Sequence, residues 1–266
     1  MKRLFGRPVP PTAAVVAIVA FLATGCATGQ GSPSGAAAPS GAASPSGPAS
    51  RTAAPIATPS AAASPAVSEF PGASDDVPPG TYMWAAGGAT PADITFTVPA
   101  GWMSRYGIPH KDRGGPGEIA VGNWIIANVY EDPCRWQGSL LDPAVGPTVD
   151  DLARALVAQK GRTATAPVDV TLGGYPAKRI ELSIPADLDR ATCDGGVVRT
   201  WVAPGEDTAL DNDTENLGMH PGQLNVVYIV DVNGERLVID TWHMPGTSAA
   251  DLAELDAILA SMRIEP

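Results

Sequence analysis

From Ala27 to Ser68 the chain is almost entirely Ala, Gly, Ser, Pro and Thr, interrupted by residues such as Arg51, Ile56 and Val67. No other feature limits the fold so strongly. Ordering a backbone costs about 1–2 kcal/mol per residue. A segment without apolar side chains to bury cannot offset that cost and stays unstructured. The foldable part of the 266-residue chain therefore runs from about Glu69 to Pro266, long enough for one sizeable core. As a flexible coil the tract spans roughly 35–40 Å, and its prolines stiffen and lengthen it further. It reads as a stalk, and its Ser and Thr beside Pro suit O-glycosylation.

The residues before the tract explain why a stalk is needed. Lys2, Arg3 and Arg7 form a positive start, followed by the apolar run "TAAVVAIVAFLAT", Thr12 to Thr24. That run is shorter than the roughly 20 residues a membrane-crossing helix needs, so it reads as a secretory signal. It ends in "LATGC", Leu22 to Cys26, with small residues before the cysteine. This resembles the lipobox of bacterial lipoproteins, with Leu22 one place further from the cysteine than usual. The resemblance implies cleavage before Cys26 and a diacylglyceryl group on its thiol. Two acyl chains, at about 0.8 kcal/mol per buried CH₂, anchor a protein stably where one does not. The expected organisation is thus a signal peptide over 1–25, a lipidated Cys26 with its linker over 26–68, and a domain over 69–266. The expected location is the outer face of the cytoplasmic membrane. Only four lysines, with abundant Ala, Gly, Pro and Arg, make the chain resemble an actinobacterial envelope protein.

Charge argues against one class of partner. Of the 17 Lys and Arg, three precede Cys26, where no acid stands; the other 14 face 28 Asp and Glu, a net charge of −14. Such a field repels phosphate backbones, so no nucleic-acid partner is expected.

Within 69–266, "DITFTV" (Asp93 to Val98) alternates apolar and polar residues as a half-buried strand does, then breaks at Pro-Ala-Gly. "EIAVGNWIIANVY" (Glu118 to Tyr130) reads as two strands or one bulged strand. "TVDDLARALVAQ" starts at an N-cap threonine with early acids and sets Leu152, Leu156 and Gln159 on one helical side. "PVDVTL" and "AKRIELSI" flank Gly173-Gly174-Tyr175-Pro176 as a hairpin, and "GVVRTWVA" is a further strand. "QLNVVYIVDVNGERLVIDTWHM" predicts two strands across Asn233-Gly234, apolar on both faces and therefore central. "TSAADLAELDAILASM" predicts a capped helix with Leu252, Leu255, Ile258 and Met262 along one stripe. The fold class is α+β: one antiparallel sheet of about six to eight strands with two main helices packed on it.

"FTVPAGW", a Gly-Tyr-Pro hairpin followed by "KRIEL", and a last helix ending "LDAILASMRI" resemble the PsbP-like fold, which includes LpqN-type mycobacterial lipoproteins. The resemblance spans roughly Ala92 to Ile264. It implies a binding or scaffolding module without a shared catalytic residue set.

Chemistry-bearing patterns are sparse. Cys134 and Cys193, an even pair in an exported chain, read as a disulfide; free or redox thiols are the alternative, and no C-x-x-C supports it. His110, His220 and His243 lack metal-ligand spacing, and His243 reads as a structural strand residue. "LDNDTEN" places Asp211, Asp213 and Glu215 as a calcium loop begins, but Asn216 and Gly222 stand where an EF-hand needs Gly and Glu. No nucleophile elbow, P-loop or dinucleotide fingerprint occurs, "RGGPGE" reads as a turn, and the tryptophans read mostly as core and rim packing. Two long connections, 103–117 with basic residues and 204–222 with acidic ones, are candidate docking surfaces if apart and mutual partners if close. The expected function is a non-enzymatic binding or accessory module with no cofactor or metal. It contacts the membrane through its lipid and an envelope protein through its domain. The alternative is a carrier of a lipid or other small amphiphile in a cleft between sheet and helix.

Overall fold

The computed structural model describes residues 67–87, 90–205 and 219–266. The expectations for the signal, Cys26, nearly all of the linker and the acidic stretch Asp211 to Asn216 fall outside these residues.

In chain order the strands are β1 (Ser68–Glu69), β2 (Ala73–Val77), β3 (Gly80–Trp84), β4 (Asp93–Val98), β5 (Trp102–Arg105), β6 (Ile108–Lys111), β7 (Ile119–Trp124) and β8 (Asn128–Val129). Helix α1 (Val149–Val157) follows, then β9 (Thr163–Ala164), β10 (Val168–Leu172), β11 (Tyr175–Ser183) and β12 (Trp201–Val202). The chain closes with β13 (Leu224–Val232), β14 (Glu235–His243), α2 (Ala249–Ser261) and β15 (Arg263–Glu265).

Nine strands form one large antiparallel sheet in the order β10-β11-β13-β14-β7-β6-β5-β2, with β9 also on β11. The α+β class with two helices on a large sheet is as the sequence implies. The strands exceed the expected number and do not all join one sheet: β4, expected from its alternation, belongs to a second sheet, β1-β3-β4-β15, and β8 and β12 pair in a short ladder of their own. Strands that the sequence does not announce, such as β1, β2, β3 and β15, have two to five residues each, and Asp75-Asp76 in β2 and Pro78-Pro79 before β3 break alternation.

The β13–β14 hairpin is the axis of the fold. Asn233 (φ 55°) and Gly234 (φ 92°) supply the two left-handed residues that a tight hairpin turn needs, and all nine residues of each strand then pair. Successive side chains alternate between faces. Val230, Val232, Leu237 and Ile239 point to one face, under α2 and the small sheet, where Ile94, Phe96, Leu255, Ile258 and Met262 are buried against them. Val227, Ile229 and Val238 point to the other, under Leu152 and Leu156 of α1. Burial on both faces is what the apolar sequence of these strands requires.

Both helices start as their sequences indicate. Thr148 caps α1 by accepting from the Asp151 N–H, while Asp151 accepts from the Thr148 backbone. Ser248 caps α2 in the same manner. Lys111 fastens α2 to β6 through Asp251 and Glu254, both at 2.7 Å, and Glu254 also accepts from the Trp102 indole at 2.8 Å. The stretch 103–117 is therefore not one long connection. It contains most of a hairpin, β5–β6, followed by a turn at Asp112, and its lysine serves the core rather than a docking surface.

Candidate functional site

On the α1 side of the sheet, beyond the end of the helix, the packing opens into a cavity of about 300 Å³. Strand alternation puts Asp240 and Trp242 on the same side as Val238, and Asn225 lies directly across from Trp242. The same row continues through Ala120 to His110. Gly122 sits opposite Asp240 on the neighbouring strand, and the Trp124 ring folds back over it: a Cβ there would meet the ring at 3.1 Å. Thr200 and Trp201 beside and in β12, together with Met219 and His220, line the cavity from the segments above the sheet.

A hydrogen-bonded chain runs along this cavity. Asn225 Nδ2 donates to both oxygens of Asp240, at 3.0 and 2.9 Å, and Gln223 Nε2 donates to Asn225 Oδ1 at 2.8 Å. The His220 backbone N–H donates to Gln223 Oε1 at 2.9 Å, and Arg190 Nη1 donates to His220 Nδ1 at 3.1 Å. The chain thus has a carboxyl at one end and a guanidinium at the other. Asp240 is 4% exposed, and burial pushes its carboxyl up to about 7, against the opposing pull of Asn225 and Arg162. Arg162 is not an ion-pair partner of Asp240 but lies near enough to act on it. Its own guanidinium is lowered by burial to about 9, still charged at neutrality, and donates to Gln159, Thr200 and Met219.

The two histidines of the cavity are neutral near pH 7. Burial lowers His110 to about 4, and burial followed by Arg190 lowers His220. His110 Nδ1 and Trp124 Nε1 are buried without a hydrogen-bond partner among the described residues. Orphaned buried groups of this kind cost about 1–3 kcal/mol each unless something meets them. At the mouth, Glu118 accepts from Trp242 Nε1 at 3.1 Å and from the Gly114 N–H at 2.6 Å, with exposed Arg113 beside it.

Cys134 and Cys193 are joined by a disulfide, S–S 2.03 Å. The bridge anchors the two short 3-10 turns, Arg190–Thr192 and Asp194–Gly196, that carry Arg190 over the cavity. Asp194 N–H donates to the Cys134 carbonyl, and the Trp136 indole donates to the Asp194 carbonyl at 2.8 Å.

The structure brings His110 and His220 together and leaves His243 half-buried on the opposite face, a structural residue as its strand position implies. Among the described residues no group of three His, Cys, Asp or Glu is placed to hold a metal. Reading the tryptophans mostly as packing is correct for Trp84, Trp102 and Trp136, whereas Trp124, Trp201 and Trp242 line the cavity. Asp240, Asn225 and Arg190 went unnoticed in the sequence. The signal for Asp240 was its position inside "VIDTW", an acid in a strand whose neighbours demand burial.

Gly122→Ala is expected to push the Trp124 ring into the cavity, at a cost of about 1–3 kcal/mol. Tryptophan fluorescence and thermal melting check this; an unshifted spectrum would show that the ring does not rest on Gly122.

No protein-family model matches the chain, and no curated protein matches it. A solved structure similar to it is that of LpqN, described as involved in cell envelope biogenesis of Mycobacterium tuberculosis. The two are 12% identical, with 71% of this chain and 92% of that chain covered and a TM-score of 0.36.

Proposed function

We propose that this chain is a non-catalytic binding module, held by lipidated Cys26 on the outer face of the cytoplasmic membrane, whose domain takes up one small molecule. The observation that carries the reading is the cavity: aromatic walls and a few converging polar groups are the usual composition of a ligand site. A solid layer between sheet and helices would instead favour docking of a protein on the surface. The side of the sheet under α2 also carries a groove, about 480 Å³ and more open, between α2 and the β10–β11 hairpin, but it lacks the hydrogen-bonded polar chain and the converging indoles of the cavity beyond α1.

Size and polarity select among ligands. About 300 Å³ is the low end for small-molecule sites, and Asp240, Asn225, Gln223 and two histidines line it. A long acyl chain is excluded by both properties, so the occupant is a compact polar molecule rather than a membrane lipid. Binding is favoured over turnover because the polar side chains are tied to one another. Thr200, a hydroxyl on the wall, donates to Met219 rather than facing a base.

Two measurements test the reading. The full chain is expected to partition into detergent, and Cys26→Ala to move it to the aqueous phase. Protein purified gently from its own envelope is expected to release one small molecule on denaturation, seen by mass spectrometry. A wild-type chain found in the aqueous phase would remove the anchor. A chain that releases nothing and binds nothing would remove the ligand.

A further inference from the structure

The electrical layout of the cavity narrows its ligand further, resting on the reading that the cavity is a binding site. Asp240 lies at the sheet surface beside the Trp124 ring, which covers Gly122 directly across from it. Trp201 lies 6.4 Å from Trp124, centroid to centroid, and Trp242 stands on the same face two residues along. A carboxyl in a cavity walled by indoles is a site for a cation, because ring faces attract positive charge and the carboxylate completes its neutralisation. Arg162 does not fill this role: its guanidinium is committed to Gln159, Thr200 and Met219.

The other end of the hydrogen-bonded chain has the opposite sign. Arg190 is half-buried, donates to the Gly196 carbonyl at 3.1 Å and to a neutral histidine, and has no carboxylate partner among the described residues. That is unusual in a domain with twice as many acids as bases. Arg113 at the mouth forms no ion pair among the described residues either, and Glu118 beside it is engaged by Trp242 and Gly114. A simple cation would satisfy Asp240 and be repelled by Arg190. A simple anion would do the reverse.

We infer that the cavity binds a small zwitterion, an amino-acid or betaine type, with its ammonium end between Asp240 and the tryptophans and its carboxylate end on Arg190. Such a molecule offers a charge of each sign to the two ends of the hydrogen-bonded chain, and its ammonium end favours the ionised form of Asp240. The carbon skeleton between the two ends lies against Ile108, Met219 and the indole faces. The buried His110 and Trp124 nitrogens remain as hydrogen-bonding sites along its length.

The test is calorimetric titration of the full chain in detergent with four probes: glycine betaine and alanine as zwitterions, choline as a cation, butyrate as an anion. At least one zwitterion is expected to bind ten-fold or more tighter than choline and butyrate. Asp240→Asn is expected to weaken that zwitterion and choline at least ten-fold while sparing butyrate. Arg190→Gln should weaken the zwitterion and butyrate while sparing choline, and Arg190→Lys should retain the preference. Melting curves of each variant establish that it is folded. Butyrate or choline binding as tightly as the zwitterions would overturn the inference, and so would the absence of binding by either zwitterion. If the natively purified chain then releases a molecule that is not a zwitterion, only the inference fails and the binding-module reading stands. If it releases nothing and none of the four probes binds, both fail.

Discussion

Replacing both bridged cysteines, Cys134→Ser together with Cys193→Ser, is expected to lower the melting temperature by roughly 8–16 °C. The bridge spans a sequence separation of 59 residues. Closing a loop of that length removes about 4 kcal/mol of chain entropy from the unfolded state. In a domain of this size each kcal/mol moves the midpoint by about 2–4 °C. The loss is also local. Residues 185–200 run between β11 and β12 without a strand of their own, held by the bridge and by the contacts of Asp194 with Cys134, Trp136 and Gln137. Arg190 belongs to that stretch, so ligand affinity is expected to fall in the surviving folded fraction as well. Calorimetry of the oxidised and variant proteins measures the first effect, and hydrogen exchange over 185–200 the second. A midpoint change below about 3 °C would mean that the loop is already constrained in the unfolded chain.

The second large effect has the opposite sign. Asp240→Asn is expected to stabilise the protein by a few kcal/mol at pH 8 and to leave stability nearly unchanged at pH 4. An aspartate in the unfolded chain titrates near the ordinary value of about 3.9. Burial in the fold raises Asp240 to about 7. The folded state therefore holds the proton more tightly. The contribution is fully present below about pH 4, is lost as the pH rises through 7, and stays lost above it. A shift of about three pH units corresponds to about 4 kcal/mol. Asparagine keeps an acceptor for Asn225 and never ionises, so it avoids that loss, at the expense of some attraction to Arg162. Denaturant unfolding at pH 4.5, 6 and 8 gives the curve. A difference between wild type and variant that does not grow with pH would show that Asp240 is solvated in the folded protein. The variant that is most stable is thus also the one expected to lose its ligand, as is common where a site retains a strained charge.

Much of the fold could be read from the sequence, for reasons visible in particular residues. The β13–β14 hairpin announces itself through Asn233-Gly234 and continuous apolar strands, and α1 and α2 through Thr148 and Ser248 with acids three residues on. Of the small sheet only β4 could be read in this way. Strands of two to five residues such as β1, β3 and β15 gain their pairing from tertiary neighbours and carry little pattern of their own. The β5–β6 hairpin was hidden for a related reason: Tyr106 adopts a positive φ of 55° before Gly107, a turn that its sequence does not advertise. The site was harder still. Its polar chain joins β13, β14 and the segments around Arg190 and His220, and only the sheet register shows that Asp240, Gly122 and Trp124 are neighbours. The disulfide is the exception, because the folded part holds only two cysteines and they leave little choice of pairing.

The small sheet sets where a handle can be placed. Its order, β1-β3-β4-β15, joins the first and last strands of the domain to one layer, on the side of the large sheet away from the cavity. A purification tag, a biosensor linkage or a fluorescent fusion at either end of the domain therefore emerges behind the site. Immobilised by its termini on a chip, the domain presents the opening to the solution, which suits it to direct ligand screening.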